Sequence, residues 1–200
     1  ERVDGLFRRA EDRRVDAGRE RHAERVVRRD RDDTRRRADE AIEVVGIAGD
    51  DVLLPDNVYS PNRDLAKWMS NDFGITARLY DPMVGAGIAE LIQPNTKLIW
   101  TEAPGSVSME VPDLRAICDA AKQKGVLVAL DNTWSAGLAL RGFELGVDVV
   151  MQALTKYQSG GSDVLMGCLV TRDKLLHERL SMAHMRLGMG VSADDTYLVL

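Results

Sequence analysis

Two stretches of this 200-residue chain place polar, chemically capable residues directly after apolar runs. Val126 to Leu130 is followed by Asp131-Asn132-Thr133-Trp134. Val147 to Met151 is followed by Gln152-Ala153-Leu154-Thr155-Lys156-Tyr157, then by Gly160-Gly161-Ser162-Asp163. If the two runs are neighbouring parallel strands, Asp131 and Lys156, 25 residues apart, fall on the same rim of the sheet, where open α/β sheets bind ligands. A lysine amine can form a Schiff base with an aldehyde, and a carboxylate can keep a pyridine nitrogen protonated so that the ring accepts the electrons of a substrate carbanion. Those are the two demands of pyridoxal phosphate. Thr155 would offer a hydroxyl to its phosphate, and the pocket would have to desolvate Lys156 enough to keep it reactive. On spacing alone the plainer alternative stays open, since an Asp after a strand is often a turn residue and a Thr-Lys pair is common.

Most other catalytic chemistries lack their residues. No Gly-Lys-Ser/Thr triplet occurs, so there is no Walker-type phosphate loop. No Gly-x-Gly-x-x-Gly follows a strand, and Gly85-Ala86-Gly87 reads as a short turn. His22, His177 and His184 are scattered rather than set at metal-ligand spacing, so no metal is expected. Ser and Cys nucleophile motifs are absent as well.

The elements that must position Asp131 and Lys156 are legible from residue 46 onward. Strands are expected at 52–54, 75–80, 97–101, 126–130, 147–151 and 164–170. A helix is expected from Ser60-Pro61, with Ser60 as N-cap and Leu65, Trp68, Met69 and Phe73 as its apolar stripe, ending at Gly74. Further helices are expected at 88–92, at 111–124 between Pro112-Asp113 and Gly125, and at 171–185. Alternating strands and helices indicate an α/β domain with a mostly parallel sheet flanked by helices.

Composition divides the chain. Residues 1–40 hold fourteen Arg, no Lys and twelve acids, for a net charge of +2, whereas residues 41–200 carry a net charge of −7. Residues 1–45 therefore read as a separate Arg-rich head, solvated or loosely helical, with a non-native origin as a further reading. A nucleic-acid arm is disfavoured because the interspersed acids repel phosphate. No apolar run reaches about 18 residues, so no membrane span is expected. Two cysteines, Cys118 and Cys168, are too few for a disulfide framework and fit a reducing, cytoplasmic setting. The chain begins at Glu1 and stops within Tyr197-Leu198-Val199-Leu200, where no cap or turn signal is evident, so both ends read as cut.

Six blocks, in order, carry a family resemblance: Gly49-Asp50-Asp51-Val52-Leu53; Val58-Tyr59-Ser60-Pro61; Tyr80-Asp81-Pro82 with Gly85-Ala86-Gly87-Ile88; Glu102-Ala103-Pro104-Gly105-Ser106; Asp131-Asn132-Thr133-Trp134; and Thr155-Lys156-Tyr157 with Ser162-Asp163. From about residue 46 to 200 the chain resembles the cystathionine β-lyases, in the Cys/Met-metabolism family of fold-type-I pyridoxal-phosphate enzymes. The resemblance implies part of the large, aspartate-aminotransferase-like cofactor-binding domain, truncated at both ends. It implies that Lys156 binds the cofactor and moves protons, first as base and then as acid. It further implies that Asp131 partners the pyridinium, Tyr59 stacks on the ring and Thr155 contacts the phosphate.

The implied reaction is α,β-elimination of cystathionine, a small sulfur amino acid, to homocysteine, pyruvate and ammonia, within transsulfuration and methionine biosynthesis. A γ-lyase or γ-synthase reaction and a non-catalytic structural remnant are the alternatives. Family members are homotetramers with active sites between chains. Two departures are expected to alter contacts: Gly161 stands where the family often has His, and Ala103 where it often has Ser. The family's Tyr-x-Arg element and Gly-rich phosphate turn are expected before residue 46, and its carboxylate-gripping arginine after residue 200. Without them the 200 residues alone are expected to have little or no lyase activity.

Overall fold

Strand after strand in this chain ends at the same edge of one sheet. The computed structural model describes residues 47–200; the expectations for residues 1–45 lie outside the described residues. Six strands are formed among the described residues: β1 (Asp51–Pro55), β2 (Thr76–Tyr80), β3 (Thr96–Glu102), β4 (Leu127–Asp131), β5 (Val149–Ala153) and β6 (Gly167–Thr171). Their order is β2-β1-β3-β4-β5-β6. The first five run parallel, and β6 is antiparallel to β5. Residues 154–166 contain no helix, and an antiparallel return needs no crossover, unlike the parallel steps before it. The expected α/β architecture with a mostly parallel, helix-flanked sheet is the one observed.

Among the described residues six α-helices accompany the strands: α1 (Ser60–Phe73), α2 (Ile88–Leu91), α3 (Leu114–Lys124), α4 (Gly142–Leu145), α5 (Lys174–Arg186) and α6 (Ala193–Val199). A 3-10 turn at Gly85–Gly87 precedes α2. The end signals act locally. Asp113 accepts a hydrogen bond from the Ala116 amide at 3.0 Å, so α3 starts at Leu114 rather than Val111. Gly125 ends α3 with φ of 70°, a left-handed conformation that glycine adopts without Cβ strain.

One expected cap is corrected. Ser60 is not the N-cap of α1. Tyr59 occupies that position with no side-chain capping bond, and Ser60 already lies inside the helix beside Pro61. The run at 197–200 lies at the carboxyl end of α6, whose amino end Ser192 caps through the Asp195 amide at 2.9 Å. Asp194 and Asp195 in its first turn complement the helix dipole.

The core lies on one face of the sheet. Leu53, Ile99, Val128 and Leu130 pack there against Ile88 of α2 and Ile117 of α3. Each is almost wholly buried, which stabilises the fold by about 1.5–3 kcal/mol per side chain. The stripe on α1 is a contrast: Leu65, Trp68 and Phe73 remain exposed, although Trp68 and Phe73 meet edge to face at 4.9 Å. Both cysteines are free, and burial pushes the Cys118 thiol up to about 11. Among the described residues no helix is long and apolar enough to cross a membrane.

A buried ion pair ties three strands together. Asp51, fully buried on β1, accepts two hydrogen bonds from Arg78 of β2, each 2.7 Å, and one from the Thr96 hydroxyl of β3 at 2.6 Å. Arg78 also donates to the Leu91 carbonyl at 2.7 Å. Burial alone would push the Asp51 carboxyl up. The Arg78 and Thr96 hydrogen bonds and the guanidinium charge outweigh it and hold the carboxyl below its usual 3.8. A lowered pKa means that this contribution is fully present above 3.8 and is lost as pH falls through the folded-state value. Arg78→Met is expected to cost about 3 kcal/mol at neutral pH by stranding the carboxylate. Urea denaturation from pH 7 down to pH 3 should show that deficit shrinking as Asp51 takes a proton; a deficit independent of pH would contradict this account.

Candidate cofactor site

Alternation along the strands sends every second side chain to the face opposite the core. At the carboxyl ends of the strands this face carries Glu102 of β3, Asp131 of β4 and Met151 of β5. They are lateral neighbours, since Glu102 pairs with Asp131 and Asp131 with Met151 in the sheet register. They form the floor of a cleft of about 820 Å³. Tyr59, Thr155 and Lys156 line the same cleft, so the four residues singled out from the sequence (Tyr59, Asp131, Thr155, Lys156) are brought together.

Asp131 is the last residue of β4 and is half-buried. Its Oδ1 accepts the Thr133 amide at 3.0 Å. Thr133 in turn accepts the Ala153 amide on its hydroxyl at 2.9 Å, which straps the loop after β4 to the end of β5. Beside it Asn132 is buried, donates from its side chain to the Leu140 carbonyl at 3.0 Å and accepts from the Ser135 hydroxyl at 2.6 Å. Its backbone amide also donates to the Met151 carbonyl at 2.8 Å. The Asp131 carboxylate is thus held in orientation, while its Oδ2 receives no hydrogen bond and no cation from the described residues.

Lys156 lies three residues beyond β5, in a turn closed by its amide on the Ala153 carbonyl at 3.1 Å and by the Ser159 amide on the Leu154 carbonyl at 3.1 Å. Its side chain forms no ion pair among the described residues. Thr155 is half-buried and donates its amide to the Met166 carbonyl at 3.2 Å, which fastens the turn to the segment entering β6. Tyr59 sits at the start of α1, half-exposed, with its amide on Glu102 Oε1 at 3.0 Å.

A pyridine ring with a protonated nitrogen needs an open carboxylate oxygen, a nearby amine, and flat or apolar walls. Asp131 Oδ2, Lys156 and Tyr59 meet the first needs, and Pro104, Trp134 and Leu165 complete the walls. The donor set therefore suits pyridoxal phosphate, and Thr155 lines the same cleft, where its hydroxyl would be available to a phosphate. Among the described residues no group of three or more His, Cys, Asp or Glu is arranged to hold a metal ion.

Two departures from the family pattern behave differently. Ala103 is buried in the core and does not itself line the cleft. Gly161 stays in the exposed turn after Lys156, where an added Cβ would lie 3.0 Å from Asp163 Oδ1. Sequence reasoning quoted Glu102, Ser106, Thr133 and Trp134 within motifs but assigned them no role. Strand parity would have found Glu102, because a polar residue ending β3 in phase with Asp131 must share its face.

Comparison with known proteins bears on the family and the fold. The profile of the family described as Cys/Met metabolism PLP-dependent enzyme matches residues 38–200. The cystathionine beta-lyase of Bordetella avium is 39% identical over 153 residues, 76% of this chain and 38% of that protein. The cystathionine beta-lyase MetC of Escherichia coli K12 is 36% identical over 152 residues, 75% of this chain and again 38% of that protein. The chain thus spans about two fifths of the length of these relatives. A crystal structure of cystathionine gamma-lyase from Lactobacillus plantarum complexed with L-serine superposes with a TM-score of 0.72 at 28% identity, over 80% of this chain and 42% of that one. With a matching profile over most of its length and the fold to go with it, the chain belongs to the Cys/Met metabolism family of PLP-dependent enzymes.

Proposed function

We propose that this chain carries the cofactor-holding part of a carbon–sulfur lyase that cleaves cystathionine by α,β-elimination to homocysteine, pyruvate and ammonia. The observation that carries the reading is the convergence of Lys156 and the open oxygen of Asp131 on one cleft. The similarity to two cystathionine beta-lyases supports the choice of reaction. Bound there, pyridoxal phosphate would supply an electron sink for the charge that develops at the substrate Cα.

The chain's own residues would do the rest. Lys156 would hold the group covalently and, once displaced by substrate, remove the Cα proton and later return one. Asp131 Oδ2 would hold a proton on the ring nitrogen, while the Thr133 amide keeps the other oxygen engaged. Tyr59 would cover a ring face, and the Thr155 hydroxyl would donate to a phosphate oxygen. Trp134, Leu165 and Met166 would exclude water from the reacting carbon. The likeness to a gamma-lyase structure favours γ-elimination as the second reading.

Adding pyridoxal phosphate to the purified chain is expected to give an absorbance band at about 420 nm. Lys156→Ala should abolish it, and Asp131→Asn should weaken cofactor binding about 10- to 100-fold, the worth of one hydrogen bond to a charged group. A parent chain without the band refutes both lyase readings and leaves the non-catalytic remnant. Turnover of cystathionine by these 200 residues alone is expected to be slight, with pyruvate as its keto acid. Release of 2-oxobutyrate instead would move the assignment to γ-elimination.

A further inference from the structure

Glu102 is a buried carboxylate, 2% exposed, with no cationic partner among the described residues. An ionised group in that position is retained only where hydrogen bonds replace its water. Three donors do so: the Tyr59 amide on Oε1 at 3.0 Å, and the Ser106 amide and hydroxyl on Oε2 at 3.2 and 2.7 Å. Hydrogen bonds to a carboxylate are about twice as strong as neutral ones. The donors come from two different loops, one leading from β1 into α1 and one leaving β3. Both loops wall the cleft, through Tyr59 on one side and through Pro104 and Ser106 on the other.

The two loops also meet at a second point. A Cβ on Gly105 would fall 2.1 Å from Nδ2 of Asn57, two residues before Tyr59. That amide is itself committed to Ser108 at 2.8 Å and Glu110 at 3.1 Å, so it has little room to retreat. Glu102 thus stands at the junction where a strand end, a helix start and a tight loop are pressed together. A negative charge beside the first amides of the 14-residue α1 is further favoured by the helix dipole.

We propose that Glu102 is a positioning residue of the cofactor site, its carboxylate clamping the Tyr59 amide to the Ser106 loop and so holding the Tyr59 ring at the mouth of the cleft. The clamp rests on the reading of Tyr59 as a cofactor-covering residue, and it acts through that residue rather than by touching the cofactor. Glu102→Gln nearly preserves shape but removes the charge and turns one acceptor into a donor that faces N–H groups.

The test has two arms. In the first, amide hydrogen exchange is followed on the protein without cofactor. Glu102→Gln should speed exchange at Tyr59 and Ser106 while leaving core amides such as Ile99 and Val128 slow; unchanged exchange at Tyr59 overturns the clamp. If Glu102→Gln does not fold, Ser106→Ala removes part of the clamp with the charge in place, and the same criterion at the Tyr59 amide decides. In the second arm, pyridoxal phosphate is titrated by its absorbance. Glu102→Gln should weaken binding about tenfold in the parent and less than about twofold in a Tyr59→Ala background, because the clamp acts through that ring. Equal losses in both backgrounds, or no loss in the parent, overturn the positioning role. If the parent gives no absorbance band, the cofactor reading fails on its own, and the exchange arm still judges the clamp.

Discussion

The two-residue alternation of side chains along β3, β4 and β5 is the constraint on which the rest of this structure depends. It divides each strand between two tasks. Ile99, Val128, Leu130 and Val150 face the helices and form the core. Glu102, Asp131 and Met151 face the other way and meet in register at the sheet edge. A slip of one residue in any of these strands would exchange the two sets, and in β3 or β4 it would draw a carboxylate toward the core. Core and site are therefore not independent: the packing that stabilises one face fixes the geometry of the other.

Buried polar contacts guard that register at both ends of the sheet. At the amino edge Asp51, Arg78 and Thr96 bind three strands through donors and acceptors that match only in one alignment. At the carboxyl edge Glu102, Asn132 and Thr133 do the same for the loops that follow β1, β3 and β4. Apolar contacts tolerate small slides, whereas a buried hydrogen bond that misses its partner leaves a desolvated group unpaired. The aliphatic side chains supply most of the driving force and the polar ones supply the alignment.

The parts of the fold legible in the sequence are those with local causes. The apolar runs, the glycine stops at Gly74 and Gly125 and the Asp113 cap each act within a few residues, and the structure follows them. Asp131 and Lys156 were legible because each comes just after an apolar run, so a parallel sheet puts them on one rim. The misreadings have non-local causes. Ser60 looked like a cap because Ser-Pro often opens a helix, yet the chain enters α1 one residue earlier, with Tyr59 tethered by Glu102, a residue 43 positions away. The stripe on α1 has helical spacing, but spacing alone does not supply a surface to pack against. Ala103 lies inside a motif just beyond β3, and its burial in the core comes from tertiary packing that no local signal announces.

The antiparallel turn into β6 has a consequence for how this segment tolerates change. Residues 154–166 form a closed loop whose ends are pinned to adjacent strands, with Ala153 paired to Gly167. The entropy of such a loop grows only with the logarithm of its length, at about 0.6 kcal/mol per doubling. Lys156 sits close to one pinned end, while Gly160, Gly161, Ser162 and Asp163 form its exposed far side. Insertions there would cost the fold little and leave the lysine where it is, so the tip of this loop is free to drift in length while its base stays constant.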